Sequence, residues 1–123
     1  MDFTWPMVTL PVGSETFATL RQDWRVDVLG VSYCVPNGTR TDGASIPRAL
    51  WRVCGHPLQS PRVYAALVHD WLYSADGPGV TRAEADAVYR ELLIRFGWGK
   101  TRAWVEWAAL RVFGKSHYEG EGK

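Results

Sequence analysis

The sequence predicts one α+β domain, with an N-terminal antiparallel sheet packed on a C-terminal helical unit. Short apolar runs between turn residues fill residues 1–38, and longer runs with helical spacing fill residues 60–114. Residues 39–59 match neither pattern and are predicted to be irregular, and residues 115–123 form a polar, glycine-containing tail that should be loose. With 123 residues, 46% of them hydrophobic, the chain is long enough to bury one core.

Three candidate strands lie in the first third of the chain. Residues 17–21 and 24–29 alternate in part between apolar and polar side chains, and the turn-prone residues 22–23 separate them. A third run, residues 31–35, ends at the Pro-Asn-Gly sequence of residues 36–38. These segments predict a small antiparallel sheet.

The first helix is predicted over residues 60–74. Ser60 suits the N-cap, and Pro61 suits the first helical position, where a missing N–H is tolerated. The segment 75–79 is rich in glycine, proline and aspartate and should end the helix.

A second helix is predicted over residues 81–97, because Thr81 and Glu84 have the spacing of a capping box and Gly97 suits the C-terminal cap. The short break before it indicates an antiparallel hairpin with the first helix. A third helix is predicted over residues 100–113.

Charge and hydropathy exclude several classes of protein. The chain has 14 Lys and Arg against 13 Asp and Glu, so it offers no basic footprint for nucleic acid. No apolar run approaches the roughly 18 residues that a membrane-spanning helix requires. The N-terminus lacks the basic and apolar regions of a signal peptide, so we expect synthesis in the cytoplasm without signal-directed export; release in a virion or by lysis stays open.

A histidine–aspartate pair lies in the first helix, which is apolar almost all round between residues 61 and 73. Burying an unpaired charge is costly, so His69 and Asp70 need partners. Tyr73 follows them by four and three residues and therefore shares a helix face with both. We predict a polar network around these side chains.

Asp86 is a candidate partner for His69. Each residue lies about one helical turn from the predicted hairpin loop, so the two stand at similar height. Asp86 would engage one imidazole nitrogen and leave the other free to act as a base. Two alternatives stay open: His69 is a structural histidine satisfied by a backbone carbonyl, or Asp86 belongs to a surface ion-pair ladder with Arg82 and Arg90.

The polar loop that begins at Thr41 is a candidate neighbour of Asp70. It offers a carboxylate, hydroxyls and a glycine that lets the backbone approach closely, as cation and anion sites often require. An Asx-type turn is the alternative interpretation. The candidate substrate- or oxyanion-binding residues are Thr41, Gly43, Ser45 and Arg48. The candidate ligands for a divalent cation such as calcium are Asp42 and Asp70.

Several motifs together resemble a family of small proteins from tailed phages and prophages, which is classified as a domain of unknown function. The motifs are Val35-Pro-Asn-Gly38, Thr41-Asp-Gly-Ala-Ser-Ile-Pro-Arg48, Trp51, His69-Asp-Trp-Leu-Tyr73, Arg82-Ala-Glu-Ala-Asp86 and Tyr89. They extend over roughly residues 30–115. The resemblance implies a phage or prophage origin, synthesis in a host cytoplasm and possible association with the virion, and it implies no activity.

A second, more local resemblance is to secreted phospholipases A2. The spacing His69-Asp70-x-x-Tyr73 is similar to that family's base histidine, calcium-binding aspartate and supporting tyrosine. The resemblance implies that Asp86 corresponds to that family's second aspartate, which orients the histidine. Leu72 stands where that family has a cysteine, and this chain has no glycine-rich calcium loop.

Two classes of function follow. The first is a small hydrolase of ester or amide bonds in which His69, Asp86 and Tyr73 are the catalytic group, with a lipid or other cell-envelope substrate. The second is a non-enzymatic virion or tail-assembly protein that binds other phage structural proteins, in which the same polar cluster stabilises the fold. Exposure of the His69 ring to a cleft distinguishes the two, because a base must reach the proton that it removes.

Overall fold

A computed structural model of the protein describes residues 6–9, 18–41, 62–74 and 77–113, excluding the side chain of residue 113. It confirms an α+β fold with strands in the N-terminal part and helices in the C-terminal part. The strands are β1 (Val8–Thr9), β2 (Ala18–Leu20), β3 (Trp24–Val28), β4 (Val31–Val35) and β5 (Arg40–Thr41). The helices are α1 (Arg62–Tyr73), α2 (Arg82–Arg95) and α3 (Lys100–Phe113).

The described strands form two small antiparallel sheets instead of the single sheet that was predicted. One sheet has the strand order β1-β2-β5, and the other is the hairpin of β3 and β4. The prediction that residues 39–59 are irregular was wrong at its start, because Arg40 pairs with Thr19 and Thr41 pairs with Ala18. This pairing places Thr41 at the sheet margin that faces α1.

The β3–β4 hairpin has the alternation of a sheet with one buried face. Along β3, Trp24, Val26 and Val28 are buried and the residues between them are exposed. The strands are joined by Leu29 and Gly30, which have φ angles of 50° and 78°. Positive φ at both central residues is the requirement of a type I′ turn, whose twist matches that of the strands.

Both ends of α2 follow the predicted capping chemistry. The Thr81 hydroxyl accepts a hydrogen bond from the Glu84 amide at 3.1 Å. At the other end Gly97 has a φ of +88°, and the Trp98 amide donates to the Leu93 carbonyl at 2.9 Å. This 6→1 bond beside a left-handed glycine is a Schellman motif.

Helix α2 is central to the described part of the chain, because it packs on α1, on α3 and on β3. The helical segments 60–74 and 81–97 were predicted as an antiparallel pair, and α1 and α2 confirm this. Ser60, Pro61 and Asp76 lie outside the described residues. No helix among the described residues has both the length and the apolar character needed to cross a membrane.

Candidate active site

The helical hairpin places His69 opposite Asp86, four residues before the end of α1 and four residues after the start of α2. The His69 Nε2 atom lies 2.9 Å from Asp86 Oδ1, which is hydrogen-bond distance. Both side chains are fully buried. The predicted contact between the two residues is therefore confirmed, whereas a catalytic role for them stays a prediction.

Asp86, on α2, has hydrogen-bond partners on both α1 and α3. The Tyr73 hydroxyl donates to Oδ1 at 2.5 Å, and Arg111 Nη1 donates to Oδ2 at 2.8 Å. A second guanidinium, that of Arg82, lies 4.0 Å from Oδ2. The carboxylate is thus buried with a histidine, a hydroxyl and two cations around it, which is what a charge removed from water requires.

The surface ion-pair interpretation of Asp86 was wrong. Asp86 is 0% exposed, since it shares a helix face with the buried residues Tyr89 and Leu93, which follow it by three and seven residues. Arg90 instead lies over the Trp107 ring, 5.5 Å from its centroid.

The second ring nitrogen of His69 lacks a hydrogen bond in the described part of the chain. Nδ1 is buried and makes no hydrogen bond with any described residue. Its polar neighbour is Asp70, whose Oδ1 atom lies 3.7 Å away. The other oxygen of Asp70, Oδ2, accepts a hydrogen bond from the Thr41 hydroxyl at 2.6 Å. The predicted approach of this loop to Asp70 is confirmed for Thr41.

The remaining candidates on that loop, Asp42, Gly43, Ser45 and Arg48, lie outside the described residues. Within the described ranges, no group of three or more His, Cys, Asp and Glu side chains could hold a metal ion. Of the two candidate calcium ligands, the structure therefore describes Asp70 alone.

Asp70 connects the buried pair to an open cavity. Its side chain is 24% exposed, whereas that of His69 is 0% exposed. Together with Trp71 and Ser74 it lines a cavity of about 330 Å³, whose other wall is the segment from Pro36 to Arg40. His69 is thus separated from this cavity by the side chain of its sequence neighbour.

The surrounding charges stabilise an ion pair at the centre of the site. Burial disfavours the charged imidazole, but Asp70 and Asp86 outweigh it and raise the pKa of His69 above 6.5. Burial likewise opposes ionisation of Asp86, yet His69, Tyr73 and Arg111 lower the pKa of its carboxyl group. Burial and the neighbouring Asp86 carboxylate raise the pKa of Tyr73, which therefore stays a neutral donor.

Sequence reasoning missed a second buried network next to this one. Glu106 is fully buried and pairs with the Arg62 guanidinium, which is also fully buried. It also accepts hydrogen bonds at 2.6 Å from the Tyr89 hydroxyl and from the Trp98 indole. A signal existed in the sequence, because Glu106 shares one helical face with Ala103 and Leu110 at a spacing of three and four residues.

Arg111 was missed as well, and no local pattern pointed to it. It lies 25 residues after Asp86, on a different helix, and its contact depends on how α3 packs against α2.

A family model described as "Protein of unknown function (DUF1353)" matches residues 18–110. The "Uncharacterized protein y4iH" of Sinorhizobium fredii (strain NBRC 101917 / NGR234) is 32% identical over 109 residues, which are 88% of this chain and 44% of that protein. The "Uncharacterized protein y4jT" of the same strain is 42% identical over 45 residues, which are 37% of this chain and 13% of that protein.

This chain therefore spans less than half the length of these curated relatives. No solved structure matches the sequence. The family match extends from strand β2 to the last turn of helix α3 and includes both buried networks except Arg111, which follows its last residue. The chain belongs to the family of proteins of unknown function DUF1353.

Proposed function

We propose that this protein is a small hydrolase of ester or amide bonds, with His69 as the general base and Asp86 as the group that orients it. The observation that supports the proposal is that the two ring nitrogens of His69 differ in their hydrogen bonding. Nε2 is held by Asp86 at 2.9 Å, whereas Nδ1 is without a hydrogen bond among the described residues. With its hydrogen on Nε2, the neutral ring presents the Nδ1 lone pair as a base.

The cavity lined by Asp70 is the proposed position of the substrate. Because the Asp70 side chain lies between this cavity and His69, it would turn aside on substrate binding. A water molecule there would then lose a proton to His69 Nδ1 as its oxygen bonds to the carbonyl carbon. The imidazolium would then return that proton to the leaving oxygen or nitrogen as its bond to carbon breaks. Asp86 and Asp70 stabilise the intermediate imidazolium, in agreement with the raised pKa of His69.

The resemblance to phospholipases A2 gives the same roles. It assigns the orienting role to Asp86 and a supporting role to Tyr73, and both contacts with Asp86 are present. It also assigns a cation to Asp70, for which Asp42 is the proposed second ligand. A calcium ion held there would polarise the carbonyl group and stabilise the oxyanion.

A second candidate is a non-enzymatic virion or tail-assembly protein. Full burial of the His69 ring favours it, because the described structure gives the imidazole no exposed edge. In this case the network would fix the packing of the three helices, and the partners would be other phage structural proteins. The resemblance to a phage family supports this class.

The variant His69→Asn separates the two candidates, with His117→Asn as the matched control at another histidine of the chain. For the hydrolase we expect a loss of activity of about 10²–10⁴-fold, the usual contribution of a positioned base, with most of the stability retained. For the structural protein the variant should lose roughly 1–3 kcal/mol of unfolding free energy. Thermal melting is measured beside hydrolysis of lipid, peptide and peptidoglycan substrates, with and without calcium. A destabilised variant, together with an inactive wild type, would reject the hydrolase.

A further inference from the structure

A second groove lies between α2 and α3, beside the β3–β4 turn. Its volume is about 360 Å³. The apolar side chains that form it include Leu29, Ile94 and Trp107, and the guanidinium groups of Arg90 and Arg111 lie beside them. The groove therefore combines large apolar surfaces with positive charge.

Leu29, at the rim of this groove, has an unfavourable backbone conformation and an exposed apolar side chain. Its φ angle is 50°, in the left-handed region that side chains larger than Asn and Asp rarely adopt. Its side chain is also 54% exposed. A type I′ turn strongly favours Asn or Gly at this position, so the turn itself does not account for a leucine. A partner that covers the side chain would account for it.

The charge of the groove is positive after its internal pairs are considered. Glu91 is its acidic side chain among the described residues, and its carboxylate is paired with Arg95 at 3.2 Å. Arg111 already binds Asp86. Arg90 is the remaining cation: it lies over the Trp107 ring, and its Nε atom is buried with no hydrogen-bond partner in the described part of the chain.

We propose that this groove binds a segment of a partner protein in which a carboxylate side chain follows a large aliphatic side chain. The carboxylate would accept hydrogen bonds from Arg90, whose planar guanidinium suits two-point contact with a carboxylate. The aliphatic side chain would cover Leu29 and Trp107 and remove them from water. Charge complementarity selects an acidic segment over a basic one.

The test uses two short peptides, acetyl-Leu-Glu-amide and acetyl-Leu-Gln-amide, titrated into the full ¹⁵N-labelled chain. We expect saturable shifts of the Trp107 indole and Arg90 Nε signals with the glutamate peptide, and binding about tenfold weaker with the glutamine peptide. Arg90→Gln should weaken binding of the glutamate peptide by a similar factor. Leu29→Asn should weaken binding of both peptides without loss of stability, because asparagine tolerates the turn.

Arg102→Gln is the matched control, because Arg102 also lies over a tryptophan, 4.1 Å from the ring centroid of Trp98, but outside the groove. It should leave binding unchanged. The proposal is wrong if the groove signals do not move, if both peptides bind equally, or if Arg102→Gln weakens binding as much as Arg90→Gln. None of these outcomes depends on a hydrolytic activity.

Discussion

Asp86 is a buried carboxylate whose environment explains both its burial and its charge. A carboxylate removed from water is strongly destabilised unless donors and cations replace its hydration. His69, Tyr73 and Arg111 each lie within hydrogen-bond distance of its oxygens. At the scale of single residues, the site is therefore organised around one negative charge, and His69 is its most buried partner that can carry a positive charge.

Tyr73→Phe tests the importance of this charge for the fold. The change removes a donor from buried Asp86 without changing the shape of the ring, so we expect unfolding free energy to fall by roughly 1–3 kcal/mol. Tyr33→Phe removes a hydroxyl from the buried face of β4 and is the control. Urea unfolding of both variants gives the comparison. Equal stability of Tyr73→Phe and the wild type would show that the hydroxyl contributes nothing to Asp86.

The spacing of residues along the sequence was sufficient to predict that His69, Tyr73 and Asp86 lie together. His69 and Tyr73 share a face of one helix, and the short hairpin loop set the height of Asp86, so all three followed from sequence distances below 20 residues. Arg111 did not follow, because its contact depends on the packing of a third helix. When a site is formed by residues on different helices, sequence patterns predict it only where a short loop fixes how those helices align.

At the scale of elements, the end of α1 depends on one glycine. The Gly77 amide donates to the Ser74 carbonyl at 3.2 Å, and its Cα lies against the last turn of the helix. A Cβ atom at this position would collide with the backbone carbonyl oxygen of Trp71, which cannot move without disturbing α1. This close approach holds the turn after α1 against the last turn of the helix.

Gly77→Ala should therefore destabilise the protein by about 1–3 kcal/mol or more. Gly30→Ala is the matched control: its φ is +78°, but an added Cβ there meets nothing within 4 Å. It should cost only about 1 kcal/mol, from backbone strain alone. Thermal melting ranks the two variants. If Gly30→Ala were the more destabilised, the close contact with Trp71 would not control this turn.

The sequence predicted the longer elements and missed the shortest ones. Strands β3 and β4 show alternation and turn residues, and α2 has recognisable caps, so their positions were within a few residues. Strands β1 and β5 have two residues each, too few to show any period. Both strands form only by pairing with β2 in the folded protein. The pairing of β5 with β2 brings Thr41 to Asp70.

At the scale of the whole molecule, two buried polar networks lie side by side in the helical core. One is centred on Asp86 and the other on Glu106. They meet where the Tyr89 ring packs against the His69 ring, with centroids 5.1 Å apart. Because the partners of Asp86 and of Glu106 come together only when three helices are in place, both networks favour one packing arrangement over alternatives.

The ionisation of His69 should make stability depend on pH in a definite direction. Its folded-state pKa is raised above 6.5, so the stabilisation that it contributes is fully present below about pH 6.5 and is lost as the pH rises through the folded pKa. The difference in unfolding free energy between the wild type and His69→Asn should therefore shrink from pH 6 to pH 9. Urea unfolding at several pH values measures it. A difference that grows with pH would mean that the folded-state pKa is lowered.

The protonation of the His69 ring in solution shows whether Asp86 orients this histidine as a base. Long-range ¹H–¹⁵N NMR spectra of the full chain, recorded as a function of pH, give both the pKa and the tautomer of each histidine. We expect a His69 pKa above 6.5 and, above that pKa, a neutral ring with its hydrogen on Nε2 toward Asp86. A neutral ring with its hydrogen on Nδ1, or a pKa below 6.5, would contradict the arrangement in which Asp86 orients His69 and leaves Nδ1 as the base.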